Sequence, residues 1–247
     1  ALVRYELRVP SPMIYFRLVG NRLFRSTTVV LLIGMAAFLG TLYAVALFFQ
    51  DGLGLSALDA GLSTFPEAVG VMVGSQISTR LYPIFGPRRL MASGLIGVAV
   101  LALSLTAVGF TTSLWLGRFL MFLLGIAILQ VFTPTKAAAF ATISQAETGR
   151  ASTLFNTGRQ VGSALGVAIL TTVMSAVGIT HLVHGQVQAN LAAFHAAFVV
   201  AAALAVSAAV FAFFTIDDAD AAPTMVRRPS KKVQQHQAEA ELAAAAG

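Results

Sequence analysis

Long apolar runs, broken by short polar connections, set the pattern of this chain. Six of them, residues 26–49, 60–79, 90–111, 114–134, 151–177 and 191–216, are each long enough for a membrane helix. Roughly 20 residues, rising about 1.5 Å each, cross about 30 Å of hydrocarbon. The pattern predicts an all-α polytopic membrane protein with a six-helix bundle over residues 26–216. A cytoplasmic Arg-rich approach segment, residues 1–25, would precede the bundle, and a disordered cytoplasmic tail, residues 217–247, would follow it. Within the approach segment, residues 13–25 mix apolar and basic side chains, which suits either an interfacial helix or an ordinary flanking loop.

Charge supplies the orientation. Five basic residues precede the first run (Arg4, Arg8, Arg17, Arg22, Arg25), three follow the second (Arg80, Arg88, Arg89), two follow the fourth (Lys136, Arg150) and four lie in the tail (Arg227, Arg228, Lys231, Lys232). The connections after the first, third and fifth runs have none. Because cytoplasmic loops carry the excess of Lys and Arg, both ends are expected inside the inner (plasma) membrane, with the odd connections outside.

Composition removes several other classes. A chain that is 57% hydrophobic and 11% charged, with a mean hydropathy of +0.81, has too little polar surface for a soluble domain. The net charge of +6 sits beside membrane ends, where it meets lipid head groups, so nucleic acid is not an expected partner. Cysteine is absent, which excludes disulfides and thiol metal sites. His181 and His184 lie in the longest outer connection with no third ligand beside them, so no metal is expected. No cleavable signal peptide is expected, and the opening Ala1-Leu2-Val3 suggests a piece of a longer protein. A membrane enzyme would need a nucleophile and base, or a ligand cluster, at depth. The runs hold Glu67, Arg118, Arg159 and His195 instead.

The fifth run is the most informative. Gly158, Gly162 and Gly166 form one strip at 100° per residue, which lets a neighbouring helix approach closely. Asn156, Arg159, Gln160 and Ser163 lie on another face, which must meet protein or water because arginine is costly against lipid tails.

Several stretches, taken in order, resemble the fourteen-helix drug:proton antiporters of the major facilitator superfamily. They are Pro12-Met13 with Arg17-Leu18 and Asn21-Arg22-Leu23-Phe24; Leu53-Gly54-Leu55-Ser56 with Ala60-Gly61-Leu62; Phe85-Gly86-Pro87-Arg88-Arg89-Leu90; Pro134 ending the fourth helix; and Glu147-Thr148-Gly149 through Gly166. They match that family's C-terminal six-helix half. The chain departs from the family's gating motif where Pro83 and Ile84 replace an Asp-Arg pair, so Arg88 and Arg89 are expected to serve as topology anchors rather than a charge latch.

The resemblance implies two inverted three-helix repeats facing an N-terminal bundle across a cavity. The first and fourth helices would line it, the second and fifth would form the seam, and the third and sixth would face lipid. It also implies proton-coupled export of small lipophilic or cationic compounds, hence multidrug efflux and antibiotic resistance, with a proton gradient and no cofactor. Glu67 follows Pro66, and the pair marks a locally opened helix. Either Glu67, with Arg118 beside it, loads and releases the coupling proton, or Glu67 is structural and Arg118 snorkels outward. Phe38, Tyr43, Phe65, Phe119 and Phe122 are candidates for a greasy substrate pocket or for packing. Gln130 and Asn156 are candidates for the polar cavity. Asn156, Arg159 and Gln160 would serve equally as glue at the seam. The alternatives are a non-transporting membrane scaffold or receptor half, and a facilitator exporting one metabolite.

Overall fold

The computed structural model describes residues 20–109, 113–183 and 186–225. The motif residues before Gly20, most of the expected interfacial helix, His184 and the tail beyond Met225 lie outside these residues. Helix α1 (Arg22–Leu47) starts at Asn21, whose side chain accepts the Phe24 N–H at 3.1 Å, and runs into a π-turn, Phe48–Gly52. Then come α2 (Ala57–Thr64), α3 (Pro66–Leu105), α4 (Leu114–Phe140), a 3-10 turn (Gln145–Glu147) and α5 (Thr148–Val177). A hairpin of β1 (Thr180–Val183) and β2 (Gln186–Ala189), then α6 (Leu191–Thr215) and the single turn α7 (Ala222–Met225), complete the described order. Among the described residues five helical stretches are long and apolar enough to cross a membrane, and one of them spans residues 57–105.

That stretch contains the second and third apolar runs, and it does not run straight. The 40 residues of α3 would reach about 60 Å, twice the hydrocarbon thickness. At Gly86 the backbone leaves the helix with φ 73° and ψ 168°, a conformation that favours glycine, and Pro87 then opens a new helical arm. Gly74, before this elbow, packs on Ile126 and Leu129 of α4, while Gly94, after it, packs on Ala127, Gln130 and Val131. Two residues on opposite sides of Gly86 thus meet the same length of α4. The arms lie back to back as a hairpin.

α1 sits at the centre, in contact with α4, α5 and α6, and its buried Leu31, Met35, Phe38 and Val45 join the core. Its two buried threonine hydroxyls are satisfied within the helix, Thr27 by the carbonyls of Leu23 and Phe24 and Thr41 by that of Ala37. Near its end Phe48 stacks edge-on against Phe194 of α6.

Three expectations need correction. Pro134 does not end the fourth helix, because α4 continues to Phe140. A proline inside a helix costs a backbone bond, here to the Gln130 carbonyl, but buried Thr135, Ala138 and Ala139 hold the following turn in the bundle. The connection after the fifth run, in a chain expected to be all-α, is not a plain loop, since Thr180 pairs with Ala189 and His181 with Gln188 in an antiparallel hairpin. The tail expected to be disordered from residue 217 is folded as far as Met225. Asp218 accepts the Arg88 N–H at 2.9 Å, Thr224 and Tyr82 share a hydroxyl hydrogen bond of 2.6 Å, and the Arg88 guanidinium lies 4.1 Å from the centre of the Phe213 ring. Residues 217–225 form a strap across the elbow. Asp218 places a carboxylate at the N-terminus of the second arm, where unpaired N–H groups favour negative charge.

Candidate functional site: an open seam and a polar pair

The glycine strip of α5 meets α1 as its spacing predicts. A methyl group at Gly162 would overlap the Leu32 carbonyl, one at Gly166 would overlap that of Ala36, and one at Gly158 would come within 2.9 Å of Thr28 Cγ2. Close backbone approach gives van der Waals packing, which lipid cannot supply by hydrophobic effect alone.

A second strip escaped the sequence analysis. Gly70, Gly74 and Ser78, four residues apart, are buried on the first arm of α3. A methyl group at Gly70 would overlap the Phe122 carbonyl, and one at Gly125 on α4 would overlap that of Glu67. The four-residue spacing of small side chains is its signal in the sequence. Gln130 lies inside this contact, 8% exposed, and donates to the Gly74 carbonyl at 3.4 Å, while its Oε1 and the buried Ser78 hydroxyl find no partner among the described residues. Phe38 is 6% exposed in the core, and Tyr43 packs partly buried against the core, so these two aromatics take packing positions in this bundle.

The faces opposite the two glycine strips are open. On α5, Asn156 and Gln160 are exposed beside Val161, Leu165 and Ile169, and Asn156 bonds only back to Ser152 of its own helix at 3.4 Å. Arg159 is half-buried, and its Nε has no partner among the described residues. On α2 and the first arm of α3, Leu62, Phe65, Val69, Met72 and Val73 are exposed. The helices that the resemblance assigns to the seam thus each bury one stripe and leave a broad face free, apolar on α2–α3 and mixed on α5.

Pro66 opens the helix as expected. α2 stops at Thr64, Phe65 lies between the helices, and Pro66 occupies the first turn of α3 with Glu67 next to it. Arg118 on α4 does not pair with Glu67. Its Nη2 donates to Ser63 Oγ at 3.3 Å and its guanidinium lies 5.0 Å from the centre of the Trp115 ring. Ser63 is one helical turn before Glu67, so the guanidinium, the hydroxyl and the carboxylate share one side of the α3–α4 contact. Phe122 is half-buried in this contact and Phe119 is exposed above it. Among the described residues no group of three metal-binding side chains occurs.

At one end of the bundle stand Arg22, Arg25, Arg80, Arg88, Arg89, Lys136 and Arg150, brought together by the elbow, by the Asn21–Thr142 hydrogen bond of 2.8 Å and by the strap. The other end holds Asp51 and Asp59 with the hairpin. The second arm of α3 and α6 expose Ile96, Val100, Val206, Val210 and Phe214.

Comparison with known proteins accords with this architecture. Residues 6–167 match the family model of the Major Facilitator Superfamily. The drug efflux pump JefA of Mycobacterium tuberculosis is 30% identical over 178 residues, 70% of this chain and 34% of that protein. The multidrug efflux pump LfrA of Mycolicibacterium smegmatis is 30% identical over 176 residues, 70% of this chain and 34% of LfrA. The puromycin resistance protein pur8 of Streptomyces alboniger is 30% identical over 190 residues, 75% of this chain and 38% of pur8. The chain spans about a third of the length of these curated relatives. A family match over well over half the chain, carried by apolar helices packed through glycine strips, shows that this chain belongs to the Major Facilitator Superfamily of transporters.

Proposed function

We propose that this chain is the C-terminal, six-crossing half of a proton-coupled exporter of small lipophilic or cationic compounds, of the fourteen-helix drug antiporter type. The stretch over residues 57–105 supplies two crossings by doubling back at Gly86, and the two sets of three crossings form inverted repeats. The basic end, with both termini of the chain, lies in the cytoplasm.

One observation carries the proposal most of the way. α5 and the α2–α3 pair each bury a glycine stripe inside this chain; the open face of α2–α3 is apolar, whereas that of α5 combines the amides of Asn156 and Gln160 and the Arg159 guanidinium with large apolar groups. Lipid does not satisfy the α5 face, whereas a second bundle does. Relatives named as drug efflux pumps, each about three times the length matched here, supply the reason to expect that bundle.

In this mechanism the second bundle rocks against the first, and Glu67 takes up a proton when the cavity opens outward and gives it up when the cavity opens inward. Ser63 holds the Arg118 guanidinium one turn away from the protonated carboxyl. On deprotonation the guanidinium can move the one turn to the carboxylate, so the charge of Glu67 is read by a neighbouring helix. Asn156, Arg159 and Gln160 meet the partner bundle, with Phe122 at the cavity side of the α3–α4 contact. The test is efflux driven by an imposed pH gradient in proteoliposomes holding both bundles. Glu67→Gln keeps shape and hydrogen bonding but cannot titrate, and it is expected to abolish driven efflux while the protein still inserts. Wild-type efflux from that variant would move the proton site elsewhere.

A further inference from the structure

We propose that the pocket between the elbow, α4 and the strap binds a phosphate group, supplied by the headgroup of an anionic phospholipid of the cytoplasmic leaflet. The pocket measures about 460 Å³, and Thr79, Arg80, Tyr82, Pro83, Ile84, Thr133, Ala137 and Thr224 line it. The proposal relies on the inner-leaflet position of the basic end and on nothing else in the transport mechanism.

Four features point to this ligand. Arg80 is exposed at the pocket and makes no ion pair among the described residues, so its fork of donors is free for a phosphate. Thr79 and Thr133 add hydroxyls from two different helices, and Thr79 already donates its own to the Ser75 carbonyl, which leaves Thr133 as the freer donor. Lys136 is exposed on α4 three residues beyond Thr133, on the same side of the helix, and adds a second positive charge at the rim. The remaining wall is apolar. Pro83 lines the pocket, and Ile84, 73% exposed, stands beside the exposed Phe85 at the elbow. A free anion gains nothing from that wall, but the glycerol and first acyl carbons of a lipid do.

The strap makes the pocket a site belonging to this bundle. Thr224 closes one side and is held there by its hydrogen bond to Tyr82, so the pocket depends on the fold of residues 217–225 across Gly86.

The experiment uses the full chain of 247 residues in nanodiscs of phosphatidylcholine doped with phosphatidylglycerol, with lipid retention after transfer to detergent read by native mass spectrometry. Phosphatidylglycerol is expected to be retained about tenfold over phosphatidylcholine, a preference of about 1.4 kcal/mol. Arg80→Ala and Thr133→Val should each reduce that preference several-fold, whereas Arg22→Ala, at the same end but away from the pocket, should leave it intact. Thr133→Val preserves volume, so a folding failure of Arg80→Ala does not decide the matter. Equal retention of the two lipids, or a preference unchanged in both pocket variants, overturns the site. Displacement of the lipid by millimolar inorganic phosphate overturns the lipid as the source and assigns the pocket to a free anion. None of these outcomes depends on pH-driven efflux, so failure here leaves the half-transporter proposal standing.

Discussion

α1 and α5 share one glycine contact and are finished differently on their other sides. Over its most apolar window α1 is 61% buried, whereas α5 is 28% buried. The hydroxyls of Thr27 and Thr41 on α1 bond inside their own helix, while α5 exposes Asn156 and Gln160 and leaves Arg159 Nε without a partner among the described residues. Both helices have the length and hydropathy of membrane spans. Burial and the treatment of polar groups, not length or hydropathy, separate the two helices.

The largest effect should come from breaking the shared contact. Gly166→Leu drives a side chain into the Ala36 carbonyl and should cost at least about 3 kcal/mol, lowering the yield of monodisperse protein in size-exclusion chromatography. Gly61→Ala, with open space around it inside α2, should instead be neutral or stabilising by up to about 1 kcal/mol. Equal losses in the two variants would show that the α1–α5 strip is not a packed contact.

Next come the groups that keep the bundle closed on itself. Asp218→Ala removes the acceptor from the Arg88 N–H and the charge at the start of the second arm, and should cost about 1–2 kcal/mol in a thermal melt. The loss should be the same with and without a second bundle, because every contact of the strap described here is internal. Arg159→Leu combined with Gln160→Leu should behave oppositely. It should change the melt of the isolated chain by less than about 1 kcal/mol, since these side chains contribute little packing here, and should abolish driven efflux once the second bundle is present. A matching loss of stability in the isolated chain would mean that the α5 face is already satisfied. The smallest effect is expected from Ser63→Ala, which removes one hydrogen bond to Arg118 and should cost about 0.5–1 kcal/mol.

Much of this was legible in the sequence because membrane helices obey few rules. Length and apolarity marked the helical runs, and the Gly158–Gly162–Gly166 spacing named the close face of α5 before any neighbour was known. Pro66 correctly marked the break before Glu67. The misses have physical causes. Pro134 signals an end in isolation, yet packing of Thr135, Ala138 and Ala139 carries α4 past it. The polar, proline-containing connection between the second and third runs has the composition of a loop, but Gly86 alone makes the turn, so the two runs follow without a coil between them. The strap could not be read from its composition, because Asp217, Asp218 and Asp220 look like a solvated acidic run until Asp218 is seen at the Arg88 N–H. Phe38 suits a pocket or packing equally by its type, and its burial among the neighbours of α1 places it in the core of this bundle.

The most direct test of the open seam is transport by residues 1–247 alone. Proteoliposomes containing only this chain, loaded with a fluorescent lipophilic cation and given an imposed pH gradient, should release the dye no faster than empty liposomes, because a single bundle has no opposite wall to its cavity. Gradient-driven release well above that leak, abolished by collapsing the gradient, would contradict the proposal that the open faces of α5 and α2–α3 meet a second bundle.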